Sequence, residues 1–329
     1  MTKNYFLAIV AGLAILMAGC GKTDTPTPDP GKDKTTDTDP GGKTDEKDPE
    51  KQDDGKITSA DFAGSWGQGE DTDMLVLKED GSFAQKGWDE TISGKWSFNE
   101  KDNTITFTPD GSEAWTKGVL LIGGKAWLVL MEESDGFRSV ESYRKAGAKV
   151  ESGTLGDGRW DAPHSGVKPA QYTEDADYRL CMIVSGNKID LYVPVWGYHI
   201  QGTFTLNDGK MHIEADDNHI WAAKYVNYVD SYNWSFGWNA WGDGPDAAPG
   251  MNPETFELNG YTWYTVNELK KMGHEPKDDD HSFEAVIWNA AQQIHDEAME
   301  LCSLELCVSP DGKEAYGVGM GLAPWFYKR

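Results

Sequence analysis

The residues best suited to chemistry lie in one aromatic stretch, Asp217–Glu254. It carries Trp221, Tyr225, Tyr228, Tyr232, Trp234, Phe236, Trp238 and Trp241 among Asn and Asp residues. Flat rings stack on the C–H face of a sugar while amides and carboxylates take its hydroxyls. Tyr228, Tyr232, Trp234, Trp238 and Trp241 are therefore the candidate ligand-binding residues. Trp234, Trp238 and Trp241 share a face if the segment is helical, whereas Gly237 and Gly242 suit a loop. The other use for these rings is packing, with a long β-excursion laid against the rest of the fold.

Other chemistries find little support. The chain has no Gly-x-Ser-x-Gly elbow, no Cys–His pair of catalytic spacing and no Gly-rich nucleotide fingerprint. Two Gly-Lys-Thr triplets, at Gly21–Thr23 and Gly42–Thr44, lack the earlier glycine of a phosphate loop. Carboxylates are too plentiful for an acid/base pair to be singled out. We expect no catalysis and no cofactor. His281, His295 and Asp278–Asp280 are metal-ligating types without a recognised spacing, so no metal site is expected. Cys181, Cys302 and Cys307 have no histidine close by. If Cys302–Val308 is a strand, Cys302 and Cys307 face opposite ways, which disfavours bridging them to each other; Cys181 bridged to either stays open.

The charge of −25 and pI near 4.5 exclude partners that reward Lys and Arg. Nucleic acid and an anionic bilayer surface are both of that kind.

Two hairpins supply the scaffold. In Ser93–Pro109, Trp96 and Phe98 alternate with polar residues, Asp102-Asn103 sits in the turn, and Thr104–Thr108 alternates again. Gln201–Asp216 repeats the plan with Phe204 and Leu206, the turn Asn207-Asp208-Gly209, then Met211 and Ile213. Further landmarks recur in order. Gly64-Ser65-Trp66 is echoed by Gly158-Arg159-Trp160, and Ile122–Trp127 by Leu258–Trp263. Tyr143-Arg144-Lys145 is echoed by Tyr327-Lys328-Arg329. A tandem duplication of one β-domain follows, with domains at 57–147 and 148–329. The first reads as a turn of helix at Thr58–Phe62 and short strands punctuated by Asp-Gly and Gly-Gly turns. That pattern is an antiparallel meander closing into a small barrel, just wide enough to hold one small ligand or to be packed solid; packing by some of its indoles is expected. The second is lengthened by Asp217–Glu254 and by Asn267–Leu301. The latter predicts an amphipathic helix capped by Ser282, with Phe283, Val286, Ile287, Ala290, Ile294 and Ala298 on one face.

The chain begins with Lys3, the apolar run Phe6–Ala18 and then Gly19-Cys20. The run is too short to span a bilayer but suits a signal peptide, 1–19. Met17-Ala18-Gly19-Cys20 resembles the lipobox of bacterial lipoproteins, with Met17 where that family usually has Leu. The resemblance implies lipidation of Cys20 and anchoring to the outer membrane, periplasmic or surface-exposed, as a cell-envelope protein. Residues 20–56 continue as a Gly, Thr, Lys, Asp and Pro tether that cannot bury enough surface to fold.

The Gly-x-Trp strand, the Asp80–Phe83 turn, the Gly-Lys-Trp hairpin and the closing Tyr-Arg-Lys together resemble the lipocalin-like domains of Bacteroidota lipoproteins. The resemblance covers Ile57–Lys145, and reaches Val150–Arg329 through the internal repeat. It implies two tandem antiparallel lipocalin-like β-barrels, the second elaborated by the aromatic loop and the helix. It also implies that Trp66 closes a barrel end beneath Arg138 or Arg144. The function expected is non-catalytic binding, of glycans through the aromatic loop. The alternatives are a carrier of a small hydrophobic ligand in the second barrel and an interaction subunit of an envelope complex.

Overall fold

The computed structural model describes residues 56–329 apart from 88–89, 135–136, 164–177, 194–196, 226–255, 258–260 and 319–324. Cys20 and the expected leader and tether, residues 1–55, lie outside the described residues. A four-residue helix, α1 (Ser59–Phe62), opens the fold. Its capping box is reciprocal, with the Thr58 N–H donating to Asp61 at 2.8 Å. There follow β1 (Gly64–Gln68), β2 (Asp71–Leu77), β3 (Ser82–Lys86), β4 (Thr91–Asn99), β5 (Thr104–Pro109), β6 (Trp115–Ile122), β7 (Trp127–Ser134) and β8 (Phe137–Lys145). Each pairs antiparallel with the next, and β1 returns to β8 with Trp66 opposite Lys145, closing an eight-stranded barrel. Alternation sends Trp66, Leu75, Phe83, Trp96, Phe107 and Leu128 into one buried cluster. Phe83 meets Phe107 edge-on at 5.1 Å between centroids, and Trp115 stacks on Phe107 at 5.7 Å. The interior is packed with rings, as the tryptophan density of this half predicts.

The second half repeats the ring and adds to it. Its strands are β9 (Gly158–Pro163), β10 (Tyr178–Ser185), β11 (Lys188–Val193), β12 (Tyr198–Asn207), β13 (Lys210–Glu214), β14 (Ile220–Tyr225) and β15 (Tyr261–Thr265). After α2 (Val266–Met272) and α3 (Phe283–Leu301) come β16 (Ser303–Val308), β17 (Glu314–Val318) and β18 (Trp325–Lys328). Pairing of β11 with β12 closes β9–β13 and β16–β18 into a second antiparallel eight-stranded barrel. One edge of β12 is shared. Its C-terminal half, Thr203–Asn207, pairs with β13, and its N-terminal residues, Tyr198–Ile200, pair with β14. The ribbon β14–β15 thus leaves the barrel where β13 stops. Both lengthening segments of the sequence fall in this one place, between β13 and β16.

The duplication extends to single contacts. Trp66 donates its indole N–H to the Phe62 carbonyl at 2.8 Å, and Trp160 donates to the Gly156 carbonyl at 2.9 Å, each four residues back. Lys145 lies 5.2 Å from the Trp66 ring and Lys328 lies 5.9 Å from Trp160. The cation over Trp66 is therefore Lys145, neither Arg138 nor Arg144. On β8 the even-numbered residues face outward, and only the odd-numbered ones share the face of Tyr143. The matched closing residues are Lys145 and Lys328, so the two Tyr-x-x endings align one residue out of step with the match drawn from sequence. Leu258–Trp263 is not the counterpart of Ile122–Trp127. Trp263 belongs to the added β15, and the turn equivalent to Gly123–Ala126 is Ser309–Lys313, between β16 and β17.

The barrels meet face to face. The outward residues Trp127, Val129 and Val140 of β7 and β8 form one buried cluster with Cys307, Tyr316, Val318 and Trp325 of β16, β17 and β18. Since β6–β8 and β16–β18 are equivalent strands, the two barrels bury corresponding outer faces against each other. Arg138 joins it across the boundary, 2.7 Å from Glu314 and 4.8 Å from the Trp325 ring. The linker is built in as well. Val150 is buried in the cluster, its N–H donates to Asp208 at 2.7 Å, and the Glu151 N–H donates to the Gly123 carbonyl at 3.0 Å. Gly209 must stay glycine: its φ is +68°, and a Cβ there would come within 3.0 Å of the Trp127 ring.

The helices cover the second core. Thr265 caps α2 in a capping box with Glu268, and Ser282 caps α3. The stripe Ile287, Ala291, Ile294 and Ala298 packs into the same cluster as Trp160, Leu191 and Phe326. Val286, expected on that face, is 50% exposed, while Ala285 and Ala291 are buried in its stead. The stripe recurs at three- and four-residue steps from Ile287, which carries Val286 off the buried face.

Two stability measurements check this packing. Trp127→Ala should cost about 3–5 kcal/mol in urea unfolding, as a fully buried ring is removed at the barrel junction. Ile287→Ala should cost about 2–5 kcal/mol, whereas Val286→Ala should stay within about 0.5 kcal/mol.

Candidate ligand-binding surface

Five aromatic side chains of the second barrel form a row across its outer face. Strand pairing sets His199 opposite Tyr192 on one side and opposite Trp221 on the other. On the same ribbon, Trp263 lies opposite Ala223. The His199 ring is 4.7 Å from Tyr192, 5.8 Å from a nearly parallel Trp221 and 4.8 Å from an edge-on Trp263. Phe256 stacks on Tyr192 at 3.9 Å and 11°. It does so with φ +56°, in the left-handed region that costs a bulky residue roughly 1–2 kcal/mol. Backbone strain of this kind gathers where a ring must be held in one place.

A cation ends the row. The Arg159 guanidinium lies 5.1 Å from the Phe256 ring and 2.7 Å from Asp161. Asp161 is fully buried, and its second oxygen is 3.0 Å from Arg329 Nε. A buried carboxylate between two guanidiniums is stable only as a set, since removing one partner strands a charge. Asp161 thus fixes Arg159 in position, and the carboxylate holds the Arg159 charge on.

Tyr192, Phe256, Trp221 and Trp263 are partly exposed, while His199 beneath them is buried. Among the described residues, neither ring nitrogen of His199 has a hydrogen-bond partner, nor has the Trp221 indole N–H. Burial pushes the His199 pKa down to about 4, so the imidazole is neutral at pH 7. The arrangement offers π-faces and a planar cation, and suits a ligand with flat apolar faces and hydroxyl edges.

Tyr228, Tyr232, Trp234, Trp238 and Trp241 lie outside the described residues. Both strands bracketing their segment, β14 and β15, carry members of the row, Trp221 and Trp263. Of the row, only Trp221 belongs to the aromatic stretch noticed in the sequence. Tyr192, His199, Phe256 and Trp263 are spread over seventy-odd positions, and for Tyr192 and His199 alternation with core residues on β11 and β12 was the available signal.

Of the metal-ligating types named from sequence, His295 and Asp280 make structural contacts. His295 is 2.6 Å from Asp217, tying α3 to the start of the ribbon, and His274 is 2.7 Å from Asp280, closing the loop between the helices. Among the described residues no cluster of His, Cys, Asp and Glu has the makings of a metal site. Cys181, Cys302 and Cys307 are buried free thiols. Cys302 is pushed up to about 11 and Cys307 to about 12 by burial, which leaves both protonated and unreactive at pH 7. No family model matches this chain, and neither does any curated protein or solved structure.

His199 gives a pH test. An unfolded chain protonates histidine near the usual 6.5, the folded one only near 4, so the unfolded state binds the extra proton between these values. Stability should fall as pH drops from about 6.5 to about 4, by at most about 3 kcal/mol. Below that window this residue should cost nothing further. His199→Phe should flatten this part of the profile in denaturant titrations at stepped pH.

Proposed function

We propose that the protein is a lipid-anchored envelope protein that binds glycans without transforming them, using the aromatic row of the second barrel as part of its platform. The observation that carries the reading is the partly exposed set Tyr192, Phe256, Trp221 and Trp263, ended by Arg159. Stacked rings contribute through area and C–H contact, and their edges leave sugar hydroxyls free to find polar partners. Trp234, Trp238 and Trp241 follow β14 directly in sequence and extend the supply of rings. The lipobox-like Cys20 and the polar tether support attachment to the outer membrane, with the folded part held away from the bilayer. The lipocalin-like reading of the barrels supports a binding role. The carrier alternative has less in its favour, because Trp160, Phe326 and the stripe of α3 occupy the second barrel's core.

The test is binding of the full chain to a panel of neutral oligosaccharides and, separately, of fatty acids and retinoids, followed by tryptophan fluorescence and melting temperature. A ligand of the native state raises the melting temperature by mass action. Glycan binding weakened about tenfold by Trp263→Ala or Trp234→Ala, a loss near 1.4 kcal/mol, is the expected result. Binding of a fatty acid indifferent to those substitutions would replace the glycan reading with the carrier one.

A further inference from the structure

The cleft where the two barrels meet has a chemistry of its own. It encloses about 440 Å³, within the ~300–1,000 Å³ of small-molecule sites. Both halves line it: Gly67, Asp71 and Arg144 from the first barrel, Lys149 from the linker, Asp208, Lys210 and Glu305 from the second. In a chain with 55 acidic and 30 basic residues, this cleft gathers Arg144, Lys145, Lys149 and Lys210.

The carboxylates present are largely committed. Asp71 is held by Lys86 at 3.1 Å. Asp208 is held by Arg144 at 2.6 Å and by the Val150 N–H at 2.7 Å. Glu305 lies 3.9 Å from Arg144 and across the strand pair from Lys210. Lys145 is spent on the Asp61 carbonyl at 3.0 Å and on the Trp66 ring. Lys149 and Lys210 are exposed, and neither is in a close ion pair among the described residues, although the Lys210 charge favours the ionised Asp208 and Glu305 carboxylates at longer range. They come from different parts of the chain, and the docking of the barrels brings them to one cleft.

We infer that this inter-barrel cleft binds a small anion, a carboxylated or phosphorylated solute, between the ammonium groups of Lys149 and Lys210. Arg144, fixed by Asp208, forms the basic wall behind it. Two lysines lining one cleft favour a carboxylate or phosphate through charge-assisted hydrogen bonds, where a neutral sugar gains no such contact. The acidic whole repels anions at long range, so affinity must come from this local convergence. The site is separate from the aromatic row and does not rest on the glycan reading.

The experiment titrates the full chain with inorganic phosphate, with glucuronate and with glucose, in isothermal calorimetry at constant ionic strength set by sodium chloride. Phosphate or glucuronate should bind and glucose should not. Comparison of the first two distinguishes a phosphate ligand from a carboxylate. Lys149→Gln combined with Lys210→Gln should weaken binding about tenfold or more, with an unchanged melting temperature because both side chains are exposed. Lys101→Gln, on the far hairpin turn, should leave it unaltered. Absence of heat for both anions would overturn the inference, as would binding that survives the double substitution. If the double variant melts early, the single variants are titrated instead. Each should then lose part of the affinity, and loss in neither would count against the site.

Discussion

The contact between the outer faces of β6–β8 and β16–β18 is the constraint on which the rest of the molecule depends. A barrel sheds its edges by closing, yet each of these still presents an apolar outer face. Trp127, Val129, Val140, Tyr316, Val318 and Trp325 have no way into either interior, because alternation turns them outward. Burying the two faces against each other removes both from water at once. Equivalent strands supply both faces, so the second barrel covers the apolar outer face of the first.

That contact organises its surroundings. The hairpin turn at Asp208-Gly209 docks on Trp127, Asp208 pins the linker through the Val150 N–H, and Arg138 bridges to Glu314. The cleft beside it exists only because two curved surfaces meet along part of their width. The aromatic row is on another part of the second barrel, where β12 gives up one edge to β14 and the ribbon extends the sheet. Both sites therefore arise from departures from a plain repeat: a junction in one case, an insertion in the other.

Chemically, the molecule is rich in fixed, paired charge and buried, protonated thiols. Asp161 sits between Arg159 and Arg329, and His199 stays neutral among rings. Such groups position surfaces.

The sequence by itself determined the barrels. Period-two alternation, Asp-Gly turns and a repeated Gly-x-Trp are local properties, and they specify strands, turns and duplication without reference to distant neighbours. It also determined where helix α3 begins, since the Ser282 cap is local, and it placed the added material after the second hairpin. Tertiary structure decided what local pattern cannot carry. Alternation along β8 puts Lys145 on the face of Tyr143, but only closure of β1 on β8 sets the register that lays Lys145 over Trp66. Trp263 resembles the turn before Trp127 in sequence but lies on a ribbon outside the ring, because short Gly–aromatic patterns do not record which strand pairs with which. The row through Tyr192, His199, Trp221 and Trp263, and the meeting of Lys149 with Lys210, depend on long-range pairing and on the docking of two barrels. Those are contacts between residues far apart in the chain, fixed by which apolar faces can be buried together.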